Sequence, residues 1–187
     1  MAHLFSSLDG FASDRDDEDM RWVMERQGPQ HLTVGQQHVR SLGLLVLGRV
    51  TYEIMAGYWP NASDDESGGW ATVMNSVPKM VFSRTLSQAD VSWPNTTVNN
   101  GDLVGEMKKL KAQDGGDIGL SGSVEVVKSL LRAGLLDRLL IQVYPVILGS
   151  DGGKHIYSEL DTVDLTLANV TVLDDQVVLL EYELARR

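Results

Sequence analysis

Cysteine is absent from this chain of 187 residues, which excludes disulfides and thiolate metal sites and fits a reducing cytoplasm. Long apolar runs are missing too: none approaches the roughly 20 residues needed to span a bilayer. The start, Met1-Ala2-His3-Leu4-Phe5, has no basic region followed by a long apolar segment, so no export signal is visible and a cytoplasmic location is expected. Without export, Asn61-Ala62-Ser63, Asn95-Thr96-Thr97 and Asn169-Val170-Thr171 are chance matches to the glycosylation triplet. Positive charge is scarce: 16 Lys and Arg against 26 Asp and Glu leave a net charge of −10, so nucleic acid is an unfavourable partner. His3, His31, His38 and His155 share no metal-ligand spacing, and no metal is expected. Neither a Gly-x-Ser-x-Gly elbow nor a Walker lysine loop is present, so serine hydrolase and nucleoside triphosphatase chemistry lack support. No repeat, heptad or low-complexity tract interrupts the chain. Residues 1–187 read as a single domain, long enough for a real core.

What is present begins with Leu44-Leu45-Val46-Leu47-Gly48-Arg49-Val50-Thr51-Tyr52-Glu53. An apolar run too short for a helix ends in glycine and arginine, and a helix follows, with Thr51 as a candidate cap. A strand, tight turn and helix start point backbone N–H groups and a helix dipole at an anion, and Arg49 adds a fixed charge beside them. A second turn of this kind lies at Asp117-Ile118-Gly119-Leu120-Ser121-Gly122-Ser123, before a helix with apolar spacing at Val124, Val127, Leu130 and Leu131. Two such turns suit a diphosphate or two phosphates; the alternative is that both glycine clusters merely close tight connections.

Along the chain, Leu4 to Ser7 reads as a first strand ending in the turn Leu8-Asp9-Gly10. The acidic run Asp14 to Asp19 leads into a helix over Met20 to Arg26, which Gly28-Pro29 stops, and a second helix runs from His31 to Ser41. The Leu44 strand and its helix through Tyr58 come next, then a polar, acidic loop from Pro60 to Gly69. Short strands are expected at Met80-Val81-Phe82 and Thr97-Val98, a helix over Asp102 to Lys111, and a strand at Ile118 with a helix through Ala133. Leu139 to Leu148 reads as a strand buried on both faces, and Leu165 to Leu173 with Val177 to Leu184 as a terminal hairpin around Asp174-Asp175. The predicted fold class is α/β, a mostly parallel sheet with an antiparallel end.

An ordered set of motifs then carries a family resemblance: Ser7-Leu8-Asp9-Gly10, Leu47 to Glu53, Val81-Phe82-Ser83-Arg84, Gly122-Ser123 before a helix, and Gly134-Leu135-Leu136-Asp137 before Tyr144-Pro145-Val146-Ile147-Leu148-Gly149. Over nearly its whole length the chain resembles dihydrofolate-reductase-like proteins, typified by the C-terminal reductase domain of the bifunctional riboflavin-biosynthesis deaminase-reductase. That resemblance implies a three-layer fold with a central sheet of about eight strands, an NADPH site across the strand ends and a homodimer. By the same likeness the first strand is short at its start.

Carried over position by position, the resemblance gives Gly48, Arg49 and Thr51 to the cofactor phosphates, and Ser83 and Arg84 to the adenosine 2′-phosphate that distinguishes NADPH from NADH. Ser121, Gly122, Ser123 and Val124 match the second phosphate turn, where dihydrofolate reductases carry adjacent glycines and this chain has Ser121-Gly122. Ser7, Asp9 and Gly10 match the loop near the nicotinamide and substrate, Asp9 being either a substrate or catalytic contact or a plain turn former. The nearest match to the carboxylate that orients a pterin is Asp19 or Glu18, within a run that also reads as a solvated helix start. Trp22 is either a wall for a flat heterocycle or a core residue. No basic cluster for a ribose phosphate is visible. The leading expectation is an NADPH-dependent reductase of a pyrimidine, pteridine or other flat heterocycle, possibilities including 5-amino-6-(5-phosphoribosylamino)uracil-like molecules. The alternatives are a nucleotide- or flavin-binding module of the same fold without catalysis, and a structural dimer built on the Leu139 strand and the terminal hairpin.

Overall fold

The computed structural model describes residues 1–15 and 20–185. In chain order its elements are β1 (Ala2–Ser7), α1 (Arg21–Met24), α2 (Pro29–Arg40), β2 (Leu42–Gly48), α3 (Arg49–Tyr58), α4 (Asp64–Ser67), α5 (Trp70–Ser76) and β3 (Lys79–Phe82). They continue with β4 (Thr96–Asn99), α6 (Leu103–Lys111), β5 (Asp117–Ser121), α7 (Val124–Arg132), β6 (Arg138–Tyr144), β7 (Leu165–Leu173) and β8 (Val177–Leu184). One eight-stranded sheet has the order β4-β3-β2-β5-β1-β6-β8-β7. The first six strands run parallel, and β8 and β7 close one edge antiparallel. This is the dihydrofolate-reductase-like α/β architecture, mostly parallel with a terminal hairpin.

Helices cover both faces, so the central strands bury alternate residues in opposite directions. On β2, Leu45 and Leu47 point into a core shared with Tyr52, Val73 and Trp93, while Val46 joins Leu120, Val127 and Leu130 on the other side. A third cluster forms where α1 and the hairpin meet β6, around Trp22, Tyr144, Leu173 and Leu179.

Several boundaries differ from expectation. β6 stops at Tyr144, because Pro145 cannot continue the ladder. The segment expected as a polar loop contains the single-turn α4, where the Ser63 side chain accepts a hydrogen bond from the Glu66 N–H, and Gly68 and Gly69 take left-handed φ values before α5 begins. Gly28-Pro29 opens α2 rather than merely ending the previous helix: Pro29 occupies the first turn, where a missing N–H costs nothing. Thr51 lies inside α3, and Gly48 is the residue at its N-cap.

Candidate active site

Six parallel strands place their carboxyl ends along one edge of the sheet. β2 and β5 are neighbours there, yet the helices that follow them leave in opposite directions: α3 packs through Tyr52 and Met55 on one face, α7 through Val127 and Leu130 on the other. That reversal opens a crevice outside the strand ends, the usual ligand position in an open α/β sheet. Gly48 with Arg49 lies on one side of it, and Ser121 through Val124 on the other.

The two turns are tied together. Ser123 Oγ accepts a hydrogen bond from the Gly48 N–H at 2.7 Å and donates to Thr51 Oγ1 at 2.7 Å. A Cβ on Gly48 would sit 3.1 Å from Ser123 Oγ and 3.3 Å from Val126 Cγ2, tighter than ordinary packing. Gly122 (φ +66°) and Ser123 (φ +56°) both adopt left-handed backbone, which turns the chain sharply into α7. Neither α3 nor α7 has a side-chain cap at its N-terminus, so the first-turn N–H groups of both helices remain available beside the crevice. The sequence-predicted group Gly48, Thr51, Gly122 and Ser123 is thereby brought into one constellation. Arg49 sits at its rim with both Glu53 carboxylate oxygens on Nη1, at 2.8 and 2.9 Å.

Ser83 and Arg84 follow β3, the strand next to β2 along the same edge. The Ser83 hydroxyl is nearly buried and accepts from the N–H groups of Thr85 and Leu86 at 3.1 and 3.0 Å. Asn100 holds the turn from the other side, donating to the carbonyls of Ser83 and Leu86. The serine thus shapes the turn, and Arg84 stands exposed on it with no hydrogen bond or ion pair to the described residues. Sequence reasoning missed Asn100 and Glu53, although Glu53 lies one helical turn from Arg49 and that spacing is a readable signal.

On the other side of the crevice, Ser7 Oγ donates to Asp9 Oδ1 at 2.7 Å and accepts from the Phe11 N–H. Asp9 also accepts from the N–H groups of Leu148 and Gly149, linking the loop after β1 to the loop after β6. The Ser7 hydrogen bond, followed by those backbone donors, holds the Asp9 carboxyl down at about 2. At neutral pH it is an ionised clamp between two loops, with no proton to give. Trp22 is 7% exposed and packs edge-on against Tyr144, with ring centroids 5.4 Å apart, so the structure places it in the core. Asp19 and Glu18 lie outside the described residues.

A hollow of about 540 Å³ lies at the opposite end of the sheet, where β5 and β6 begin. Its rim is two ion pairs, Lys111 with Asp137 and Arg138 with Asp117, and it shares no residue with the turns above. The carboxyl edge is the better candidate because only there do two open helix N-termini converge. Among the described residues no cluster of three or more His, Cys, Asp or Glu side chains could hold a metal ion, and no helix is long and apolar enough to cross a membrane.

Comparison with known proteins agrees with this architecture. A Shewanella sp. PV-4 protein assigned to riboflavin biosynthesis superposes with a TM-score of 0.79 at 20% identity, over 99% of this chain and 98% of that one. The Thermotoga maritima diaminohydroxyphosphoribosylaminopyrimidine deaminase/5-amino-6-(5-phosphoribosylamino)uracil reductase gives 0.67 at 16%, over 98% of this chain and 56% of that one. Enterococcus faecalis dihydrofolate reductase, solved with NADP(H) and RAB-propyl, gives 0.61 at 16%, over 98% and 94%. At these identities the likeness speaks for the fold. Residues 1–179 match the family described as the RibD C-terminal domain, and the chain belongs to that family.

Proposed function

We propose that the protein is a cytoplasmic, NADPH-dependent reductase of a flat heterocycle of pyrimidine or pteridine type. The observation that carries this reading is the stitched pair of turns at the crevice, Gly48 to Ser123 to Thr51, with two uncapped helix N-termini beside it. The donor set fits a dinucleotide: N–H groups at the starts of α3 and α7 for the diphosphate, and the exposed Arg84 for a 2′-phosphate. Family membership and the neighbours named as a phosphoribosylaminouracil reductase and an NADP(H)-bound dihydrofolate reductase support the same reading.

NADPH, when bound, supplies a hydride to a carbon–nitrogen or carbonyl bond. The chain's own work is to place and shield that reaction. Gly48 and Gly122 keep the turns free of side chains so the backbone can approach phosphate. Ser123 fixes their separation. Arg49 must exchange Glu53 for a phosphate oxygen to contribute. Asp9 holds the loops after β1 and β6 together as the floor of the substrate side, and the resemblance leaves Asp19 as the carboxylate that would orient the heterocycle.

The test is a thermal-shift titration with NADPH and NADH in parallel, since a ligand that binds only the folded state raises the midpoint with concentration. Stabilisation by NADPH well beyond NADH is expected; no shift with either at millimolar concentration would discard the reading. A module that binds nucleotide or flavin without turnover is the second reading, favoured by Asp9 being spent as a clamp. Binding without turnover across a broad substrate panel would select it.

A further inference from the structure

Outside β7, every exposed large apolar side chain among the described residues sits on a segment that follows the carboxyl end of β1, β2 or β6. In a chain of net charge −10 the grouping of these side chains on three connecting segments is not a generic surface. Three of these residues, Val50, Ile54 and Tyr58, recur every fourth position on α3. At about 100° per residue this stripe flanks Thr51, away from the buried Tyr52 and the partly buried Met55. Thr51 is bonded to Ser123 after β5, and Ile54, three residues on and about 60° round the helix, is the member of the stripe beside that contact. The opposite side carries Leu8, tied by its N–H to the Val146 carbonyl, the adjacent Ile147, and Met24 on the helix that packs Trp22 against Tyr144. Ile54 is 59% exposed and Ile147 69%.

Among the described residues, the cations near this edge are engaged. Arg49 is held by Glu53, Arg15 donates to the Ser150 carbonyl, and buried Lys128 donates to Ser158 Oγ. The free guanidinium of Arg84 stands beyond β2, on the side assigned above to the nucleotide.

Resting on the reductase reading, we propose that this site takes an uncharged, flat, largely apolar substrate without a phosphate, held between the α3 stripe and the Leu8, Ile147 and Met24 side. A phosphoribosyl group would meet aliphatic side chains and a negatively charged protein where it needs free cations. Chemically the step is a hydride from NADPH to the electrophilic carbon of a C=N or C=O bond, a proton from solvent to the nitrogen or oxygen, and release of NADP⁺.

The uncharged naphthyl ketone dye prodan, whose emission brightens in an apolar site, is the probe. Prodan should bind the intact protein, and Ile54→Lys should weaken it about ten-fold, the scale on which a pocket discriminates small apolar changes. Gln113→Lys, which is exposed and lines the hollow at the opposite end of the sheet, should leave binding unchanged; loss there instead of at Ile54 would overturn the proposal. In turnover, 5-amino-6-(5-phosphoribosylamino)uracil, the compound in the Thermotoga neighbour's name, should be reduced no better than its dephosphorylated nucleoside. A clear preference for the phosphorylated form, with NADPH still binding, would overturn the substrate class and leave the reductase reading intact. Prodan binding that depends on Ile54 while NADPH gives no thermal shift would do the reverse, removing the reductase and keeping an apolar-ligand site.

Discussion

Arg84 is a guanidinium that no described carboxylate neutralises, on a turn that Ser83 and Asn100 hold rigid from both sides. A charge presented this way can recognise one additional phosphate without the cost of ordering a loop. Arg84→Ala should therefore weaken NADPH about ten-fold, as for the loss of one charge-assisted contact at a solvent-exposed site, and leave NADH nearly unchanged. Isothermal titration with both cofactors checks this, and equal losses would remove Arg84 from the 2′-phosphate. Gly122 makes a different kind of contribution, through its backbone. Its φ of +66° is disfavoured for any residue with a Cβ, and an added methyl would meet Thr51 Cγ2 at 3.3 Å. Gly122→Ala should cost about 1–2 kcal/mol of stability from the left-handed backbone alone. Urea unfolding reads that cost as a lower midpoint, and a midpoint that does not move would mean the turn relaxes freely. Of the site residues, those with a backbone reason to be where they are, Gly48 and Gly122, were legible in the sequence. The Ser123 bridge was not, because no local pattern records which hydroxyl will span two turns 75 positions apart.

Elements show the same division between local and distant causes. The helix α5 carries apolar residues at Trp70, Ala71, Val73 and Met74, a pattern readable at helical spacing, but the adjacent Gly68-Gly69 pair and the acidic stretch before it disguised its start. The early start of α2 has a cause no local reading can supply: Asp174, in the turn between β7 and β8, accepts from the N–H groups of Gln30 and His31 and caps the helix from 143 residues away. On its buried side α2 presents His31 and His38 to β1. His38 meets His3 edge-on with centroids 5.1 Å apart, and His31 Nδ1 lies 3.2 Å from the Tyr144 hydroxyl. Burial, and then the two neighbouring histidines, push His3 down to about 3 from its usual 6.5; burial also lowers His31 and His38. The native state therefore favours neutral imidazoles, while the unfolded chain takes up protons near pH 6.5. Stability contributed by this packing is complete above that pH and is lost as the pH falls toward 3, by up to about 1.4 kcal/mol per pH unit for each proton bound only on unfolding. His3→Phe, which can keep an edge-on ring beside Phe5, should flatten the acid side of the stability curve by up to one proton. Urea midpoints collected from pH 7 to pH 4 decide it; an unaltered slope would acquit His3.

At the scale of the molecule the unresolved demand is the edge of the sheet. β7, Leu165–Leu173, reads Leu-Thr-Leu-Ala-Asn-Val-Thr-Val-Leu, nine residues without a charge, proline or glycine. Isolated proteins blunt an edge strand of that length with lysine, proline, a covering element or a bulge, and β7 carries only a register shift between Leu167 and Asn169. Leu165, Leu167, Val170 and Val172 are all exposed, opposite Leu184, Tyr182, Leu180 and Val178 of β8, so the apolar ladder is two strands wide. A second copy of the chain offers the same uncharged ladder, and a two-fold arrangement covers both at once. We therefore expect a homodimer through this face. Each protomer carries a net charge of −10, so pairing brings like charges together and the apolar contact must overcome that repulsion. Two consequences separate this interface from nonspecific stickiness. Association should strengthen as salt rises from low values toward physiological strength, where screening shortens the reach of the repulsion to about 8 Å. The double substitution Leu167→Glu with Val170→Glu should yield a folded monomer, because both positions are already exposed within the single chain and their replacement leaves no cavity. Light scattering with and without the substitutions reads the mass directly, and circular dichroism confirms that the variant is folded. A monomeric mass for the unaltered protein at every salt concentration would leave the ladder to some other partner.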